Sequence, residues 1–179
     1  MFTGLDLSSE VVRALDALLD RLRPAAHLKW SPPANLHITT RFIGEWPAER
    51  LPDLRAALGG IPSHPPIPIR IRNLGFFPNP HSPRVFWAGV EAAPDLVTLA
   101  SETDRALEPL GLVPEGRPFS PHLTLARIKQ PVPLQELREA IAALPSLDFG
   151  GFNADRFFLY ESRLGPAGSV YTKLAEFPL

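Results

Sequence analysis

A short motif occurs twice in this 179-residue chain, and its two copies lie almost half the chain apart. The first copy reads His37-Ile38-Thr39 and the second reads His122-Leu123-Thr124. The two histidines are therefore 122 − 37 = 85 residues apart. Each copy begins a β-strand pattern about ten residues after a helical one, and a second helical pattern follows at a similar offset. This spacing predicts two copies of one structural unit, with a boundary near residues 92–94.

Apolar periodicity predicts the same order of elements in both halves. The predicted helices span residues 8–23, 49–58, 94–110 and 134–144, and the predicted strands span residues 36–43, 67–71, 84–90, 121–128, 156–162 and 170–177. Residues 75–83, which are rich in proline, are predicted to form a long loop. Each half therefore follows the order helix, strand, helix, strand, strand.

Composition excludes several classes of protein. Apolar residues make up 45% of the chain, which is typical of a globular protein and not of a disordered one. No apolar run is long enough for a transmembrane helix, and the first ten residues lack the pattern of a signal peptide. The chain has no cysteine, which excludes disulfides and thiol catalysis and favours the cytoplasm. The net charge of −1 predicts contact with a short nucleic acid or its end, and not with long nucleic acid.

The two motifs place the same pair of side chains on one face of each strand. Because side chains alternate along a strand, His37 and Thr39 share a face, and so do His122 and Thr124. The neighbouring apolar residues then point to the other face and into the core. If the two units pack as pseudo-symmetric lobes, the two His-Thr pairs face each other across a cleft.

Two imidazoles and two hydroxyls are suited to acid–base chemistry on a phosphodiester. One imidazole can be neutral and the other charged near neutral pH, which provides a general base and a general acid. Threonine hydroxyls can donate hydrogen bonds to the non-bridging phosphate oxygens. The sequence has none of the familiar metal-binding spacings, so no metal or cofactor is expected. A single H-x-T motif is most often a structural strand end, and only the matched pair favours catalysis.

Four segments in this order resemble the two-histidine (2H) phosphoesterase superfamily. Specifically, they resemble its LigT-like branch of RNA 2′,3′-cyclic phosphodiesterases, also called 2′-5′ RNA ligases. The segments cover nearly the whole chain and comprise Trp30 with residues 33–45, residues 83–90, residues 119–127, and residues 159–164 with 168–171. Thr40 departs from the family pattern, in which leucine is more frequent, and the short N-terminus implies an abbreviated first strand.

The resemblance implies the fold and the chemistry. The implied fold is α+β: a single domain over residues 1–179 with two pseudo-symmetric lobes, about 1–92 and 93–179. Its antiparallel sheets line a central cleft, its helices lie on the outer faces, and strands can be exchanged between the lobes. The implied reaction is metal-independent opening of a 2′,3′-cyclic phosphate to a 2′-phosphate. The implied catalytic pair is His37 and His122, with Thr39 and Thr124 binding the phosphate.

Two arginines are candidates for a further phosphate contact. The family has a phosphate-binding arginine after its second motif, and Arg127 occupies that position. Strict alternation, however, places Arg127 on the face opposite His122, so the strand must twist, bulge or end nearby for it to reach the cleft. Arg41 has the matching parity with His37 and is the rival candidate. The other histidines, His27, His64 and His81, lie in loops and are expected to be solvated.

The sequence leaves three functions open. The first is hydrolysis of cyclic phosphate ends of RNA, or of a small nucleotide phosphodiester. The second is the reverse reaction, ligation of tRNA halves through a 2′-5′ linkage, for which the same acid and base would serve. The third is non-catalytic binding of RNA ends or nucleotides. We expect a cytoplasmic monomer that requires no protein partner and does not associate with a membrane.

Overall fold

The computed structural model describes residues 1–166 and 168–179, which form four α-helices and nine β-strands. The helices are α1 (Ser9–Leu22), α2 (Leu51–Gly59), α3 (Pro94–Leu107) and α4 (Gln135–Ala142). The strands are β1 (Phe2–Leu5), β2 (Lys29–Trp30), β3 (Ile38–Phe42), β4 (Ile67–Phe77), β5 (Val85–Ala92), β6 (His122–Arg127), β7 (Asp148–Ala154), β8 (Arg156–Gly165) and β9 (Gly168–Pro178). Short 3-10 turns connect several of these elements.

The strands form two antiparallel sheets, and each sheet combines strands from both halves of the chain. One sheet has the order β3-β1-β8-β9, and the other has the order β2-β6-β5-β4-β7. In the first sheet, β1 lies between β3 and the late strand β8. In the second sheet, β5 lies between β6 and β4. The prediction of an α+β fold with a pseudo-symmetric duplication is confirmed.

The repeat begins one strand earlier than the sequence pattern suggested. Each unit has the order strand, helix, strand, helix, strand. The first unit is formed by β1, α1, β3, α2 and β4, and the second by β5, α3, β6, α4 and β8, while β2 and β7 are additions to the repeat. The shift of 85 residues relates Gly4 of β1 to Gly89 of β5. A Cβ at Gly4 would lie 2.6 Å from the carbonyl oxygen of Ile38, and one at Gly89 would lie 2.5 Å from that of Arg72. Both first strands therefore need glycine where a neighbouring strand approaches closely.

The sequence patterns did not predict three of the strands, β1, β2 and β7. The strand β1 has only four residues, but all four are buried, and it pairs on both sides. The edge strand β7 contains Gly150 and Gly151, so it lacks the alternation of apolar residues that identifies a strand. The two-residue strand β2 is too short to produce a pattern. The predicted loop over residues 75–83 is shorter than expected, because β4 continues to Phe77.

The core lies between the sheets and the helices. The first helix is capped by Ser8, whose hydroxyl accepts a hydrogen bond from the backbone of Val11. Its apolar stripe is buried, and α3 buries a similar one; the two stripes comprise Val11, Leu15, Leu18, Leu19 and Leu22 in α1, and Leu96, Leu99, Ala100, Thr103 and Leu107 in α3. None of the helices in the described part of the chain is long and apolar enough to cross a bilayer.

Candidate active site

Both motif strands contain a β-bulge at the same position. Along β3, Thr39 pairs with Gly4 and Arg41 pairs with Thr3, so Thr40 is an extra residue. Along β6, Thr124 pairs with Trp87 and Ala126 pairs with Phe86, so Leu125 is extra. Thr40 and Leu125 are again 85 residues apart. A bulge of this kind reverses the alternation of side chains beyond it.

The two bulges decide which arginine reaches the motif face. Arg127, five residues after His122, lies on the same cleft as the histidine and is exposed. Phe42, five residues after His37, lines the same cleft. Arg41 does not line the cleft. Strict alternation had favoured Arg41 as a phosphate ligand, but the bulge at Thr40 reverses that alternation before Arg41.

Arg41 is instead buried, and it forms ion pairs with two carboxylates outside the cleft. Its side chain is 6% exposed, its Nε lies 2.8 Å from Asp104 Oδ1, and its Nη1 lies 3.1 Å from Glu115 Oε1. It also donates a hydrogen bond to the carbonyl oxygen of Val113. These contacts join β3 to α3 and to the segment that leads toward His122. Arg41 is therefore engaged in contacts within the protein and does not point into the cleft. The bulge residue Thr40 is also satisfied internally, because its hydroxyl lies 2.7 Å from that of Thr3.

The cleft brings both motifs together. It has a volume of about 480 Å³, and its walls include His37, Thr39, His122, Thr124 and Arg127. The remaining lining residues are Met1, Phe2, Ser31, Asn35, Phe42, Gly44, Val85, Ser162, Ser169 and Tyr171. None of the described residues that line the cleft carries a carboxylate. The cleft is therefore suited to an anion small enough to contact both imidazoles.

The two imidazoles are held by the same hydrogen bond. The Nδ1 of His37 lies 2.8 Å from the carbonyl oxygen of Asn35, and the Nδ1 of His122 lies 2.8 Å from that of Ser120. A carbonyl oxygen can only accept a hydrogen bond, so each Nδ1 must carry the proton. This arrangement fixes the tautomer and leaves each Nε2 free to accept or donate a proton.

The surroundings of the two imidazoles differ. The ring of His37 stacks on Phe2 with centroids 4.5 Å apart, and the edge of Tyr171 packs against it at 5.1 Å. The ring of His122 packs at its edge against Phe77, with the two centroids 5.0 Å apart. The first imidazole is therefore enclosed by aromatic rings on more sides than the second.

Burial lowers the pKa of His37, and the charges of Arg127 and His122 add to this effect. The hydrogen bond to Asn35 and the charge of Asp6 act in the opposite direction without cancelling it. His37 is therefore set to be neutral near pH 7.

The strands that carry the motifs are fixed by their neighbours. The hydroxyl of Ser31 donates a hydrogen bond of 2.7 Å to the carbonyl oxygen of Thr124, and the side-chain amide of Asn35 donates one of 2.7 Å to that of Ser169. The second contact ties the segment before His37 to strand β9. Both contacts hold the motifs in place without using the imidazoles or the threonine hydroxyls.

Two aromatic residues of the site, Phe2 and Phe42, are not predicted by the sequence patterns. Phe42 is 59% exposed although it is large and apolar, and it lies on the cleft. Phe2 supports His37 from the short strand β1. The shift of 85 residues offered a signal for Phe42, because it relates this residue to Arg127. Phe77, at the end of β4, packs against His122 and Trp87.

The other three histidines, His27, His64 and His81, do not line this cleft. His64 is not solvated as predicted, since its Nε2 lies 2.6 Å from Glu102 in a largely buried pair. His27 and His81 are exposed, as the sequence predicts. Within residues 1–166 and 168–179, no group of three or more histidine, aspartate or glutamate side chains is arranged to hold a metal ion.

A duplicated α+β fold with one histidine and one threonine from each repeat defines a class of phosphoesterases. The sequence model of the family described as LigT like Phosphoesterase matches the chain twice, over residues 5–87 and 89–171. The chain belongs to this family. The two matched segments correspond closely to the two structural repeats.

Relatives with curated names resemble the chain over its full length. An RNA 2′,3′-cyclic phosphodiesterase of Thermus thermophilus is 37% identical, over 100% of this chain and 89% of that protein. A second protein of this name, from Methanothermobacter thermautotrophicus, is 34% identical, over 99% of this chain and 97% of its own.

Solved structures share the fold. The crystal structure of the Thermus thermophilus protein TT0787 superposes with a TM-score of 0.82 at 37% identity, covering 99% of this chain and 96% of that one. The structure of E. coli LigT complexed with 3′-AMP has a TM-score of 0.78 at 26% identity, covering 99% and 96%.

Proposed function

We propose that this protein is an RNA 2′,3′-cyclic phosphodiesterase that opens the cyclic phosphate at an RNA end to a 2′-phosphate. The observation that carries the proposal is the pair of imidazoles with fixed tautomers on one carboxylate-free cleft. The relatives described above carry the same activity in their names. A structural neighbour, E. coli LigT, was solved in complex with the nucleotide 3′-AMP, which supports a nucleotide phosphate as ligand.

In the proposed reaction the two histidines stand on opposite sides of the phosphorus. His37, whose pKa is lowered, accepts a proton at Nε2 from the attacking water. The water oxygen forms a bond to phosphorus as the bond from phosphorus to O3′ breaks. His122 donates the proton from its Nε2 to O3′. The product carries a 2′-phosphate and a free 3′-hydroxyl.

Hydroxyl and guanidinium groups stabilise the negative charge on the non-bridging oxygens of the phosphate in the proposed reaction. Thr39 and Thr124 lie two residues after the histidines and on the same cleft, where their hydroxyls donate to the non-bridging oxygens. Arg127 supplies a positive charge to the same oxygens. Donors fixed before the reaction begins stabilise the negative charge that develops in the transition state.

Hydrolysis is favoured over ligation as the main activity. The cleft, with its volume of about 480 Å³, admits water, and water at ~55 M competes with a 5′-hydroxyl unless both RNA ends are held together. Ligation of tRNA halves stays a second candidate, because the same two histidines would serve it in reverse.

The test is turnover of a short RNA with a terminal 2′,3′-cyclic phosphate in excess EDTA. We expect wild type to release a 2′-phosphate end, and His37→Ala and His122→Ala to lose about 10²- to 10⁴-fold in kcat. Thermal melting shows whether each variant is folded, and Arg13→Gln, an exposed change on α1, is the control for mutation itself. If both histidine variants are folded and still turn over the RNA at the wild-type rate, the two-histidine mechanism is refuted.

The proposal also includes a cytoplasmic monomer that acts without an obligatory protein partner. Light scattering during size-exclusion chromatography checks the oligomeric state, and a mass of twice 19.7 kDa would contradict it.

A further inference from the structure

The surface beside the cleft carries a set of cations that form no ion pair within the described part of the chain. Arg127 lines the cleft and also a second depression of about 300 Å³, whose walls include His27, Lys29 and Lys129. That depression shares Ile128, Gln130 and Val132 with a third one of about 410 Å³, which contains Arg84 and Arg138. The three depressions are thus contiguous. We call the cations along them, Arg127, Lys29, Lys129, Arg84 and Arg138, the basic track.

The basic track is a row of unpaired cations along neighbouring depressions. Among the described residues, no carboxylate lies within 4.0 Å of any cation of the track; nine other lysines and arginines form ion pairs, and the four that also form none are Arg13, Arg21, Arg55 and Arg117. No described residue lining the three depressions is acidic. Because the whole chain has a net charge of −1, this local excess of positive charge is not a by-product of a basic composition.

The strand pairing places two of these cations side by side. Lys29 of β2 lies directly opposite Arg127 of β6, and Val85 of β5 lies on the other side of Arg127. Residues directly opposite in an antiparallel pair point to the same face of the sheet, and like charges in that position repel each other. An anion bound between Lys29 and Arg127 removes that repulsion. The next residue along the chain, Ile128, donates a backbone hydrogen bond to Arg84, which links this row to the third depression.

We propose that the basic track binds the backbone phosphates of the RNA strand on the 5′ side of the cyclic phosphate. The strand leaves the cleft at Arg127, passes Lys29 and Lys129, and continues toward Arg84 and Arg138. This inference rests on the proposed function and adds a substrate class to it: an oligonucleotide end, in preference to a mononucleotide. The guanidinium of Arg138 is already held in place over the ring of Phe76, at 5.2 Å from its centroid.

The test compares an eight-nucleotide RNA ending in a 2′,3′-cyclic phosphate with the mononucleotide 2′,3′-cyclic AMP. Fluorescence anisotropy of the labelled RNA is measured across a salt titration for wild type, Lys29→Gln, Lys129→Gln and the double variant. Each lost phosphate contact lowers the slope of log K against log salt by about 0.7 for a single strand. We therefore expect the double variant to lose about 1.4 from the slope, twice the single-contact value, and to bind the RNA more weakly.

The mononucleotide serves as the internal reference. We expect kcat/KM for 2′,3′-cyclic AMP to be unchanged in the lysine variants, because this substrate does not extend beyond the cleft. Arg13→Gln, which removes an exposed cation from α1, is the matched control and should leave both substrates unaffected. Lys29→Gln should melt at or above the wild-type temperature, because the repulsion between Lys29 and Arg127 is relieved.

Three outcomes would overturn the inference. The first is an unchanged affinity and salt slope for the RNA in the double variant. The second is an equal loss on RNA and mononucleotide, which would place the lysines in the cleft itself. The third is a loss of RNA affinity in Arg13→Gln as large as in the lysine variants, which would show a diffuse charge effect. Failure of the proposed function is seen separately, as absence of turnover of both substrates by wild type, while the anisotropy measurement still decides the inference.

Discussion

The half of the site around His37 and the half around His122 share their framework and differ in their surroundings. Both imidazoles donate Nδ1–H to the carbonyl two residues earlier, and both strands bulge three residues after the histidine. The first half covers its imidazole with Phe2 and Tyr171 and ends in Phe42, and the second ends in Arg127. The duplication thus gives two imidazoles with the same tautomer, and the aromatic residues around His37 distinguish the first from the second.

Substitutions of the two arginines, Arg127 and Arg41, should have the largest effects. Arg127→Met should lower kcat/KM by about 10- to 100-fold, because a hydrogen bond to a charged group contributes about 1.5–3 kcal/mol. Arg41→Met should instead lower the free energy of unfolding by about 3 kcal/mol, since it leaves Asp104 without its buried partner. Steady-state kinetics and urea unfolding measure the two effects. If Arg41→Met impaired catalysis while leaving stability unchanged, the structural role of Arg41 would be wrong.

Phe42 is the counterpart of Arg127 and should have a smaller effect on a different property. Its exposed ring on the cleft offers a surface for a nucleobase. We expect Phe42→Ala to raise KM for 2′,3′-cyclic AMP about fivefold, at the low end of stacking energies, roughly 1 kcal/mol. A cyclic ribose phosphate that lacks the base is the control substrate. An equal change in KM for both substrates would argue against stacking.

The smallest effect is a shift of the pH profile. A base must be deprotonated to act, so the lowered pKa of His37 extends activity to pH values below the usual pKa of histidine, about 6.5. Arg127 contributes to this lowering, and Arg127→Met should therefore move the acidic limb of kcat/KM to higher pH. Arg41→Met is the matched arginine control. An acidic limb that stays fixed in Arg127→Met would show that its charge does not reach His37.

Much of the fold could be predicted from the sequence, and so could the meeting of the two His-Thr pairs on one cleft. The helices with clear stripes, such as α1 and α3, follow from periodicity, and the motif pairs follow from the repetition of one short motif. The strand β7 could not be recognised, because the successive glycines Gly150 and Gly151 interrupt the alternation of apolar and polar residues that marks a strand. The side of the sheet on which Arg127 lies could not be predicted either. It depends on a bulge, and a bulge is determined by how two strands pair. Neither Thr40 nor Leu125 is a residue type that signals a bulge in the sequence.

The position of β1 constrains when the molecule can assemble. Phe2, Thr3 and Gly4 find their second set of partners at Tyr160, Leu159 and Phe158, more than 150 residues later in the chain. Closing so long a loop costs entropy and slows folding. The wall that supports His37 through Phe2 is therefore complete only when strands from the two ends of the described sequence have paired.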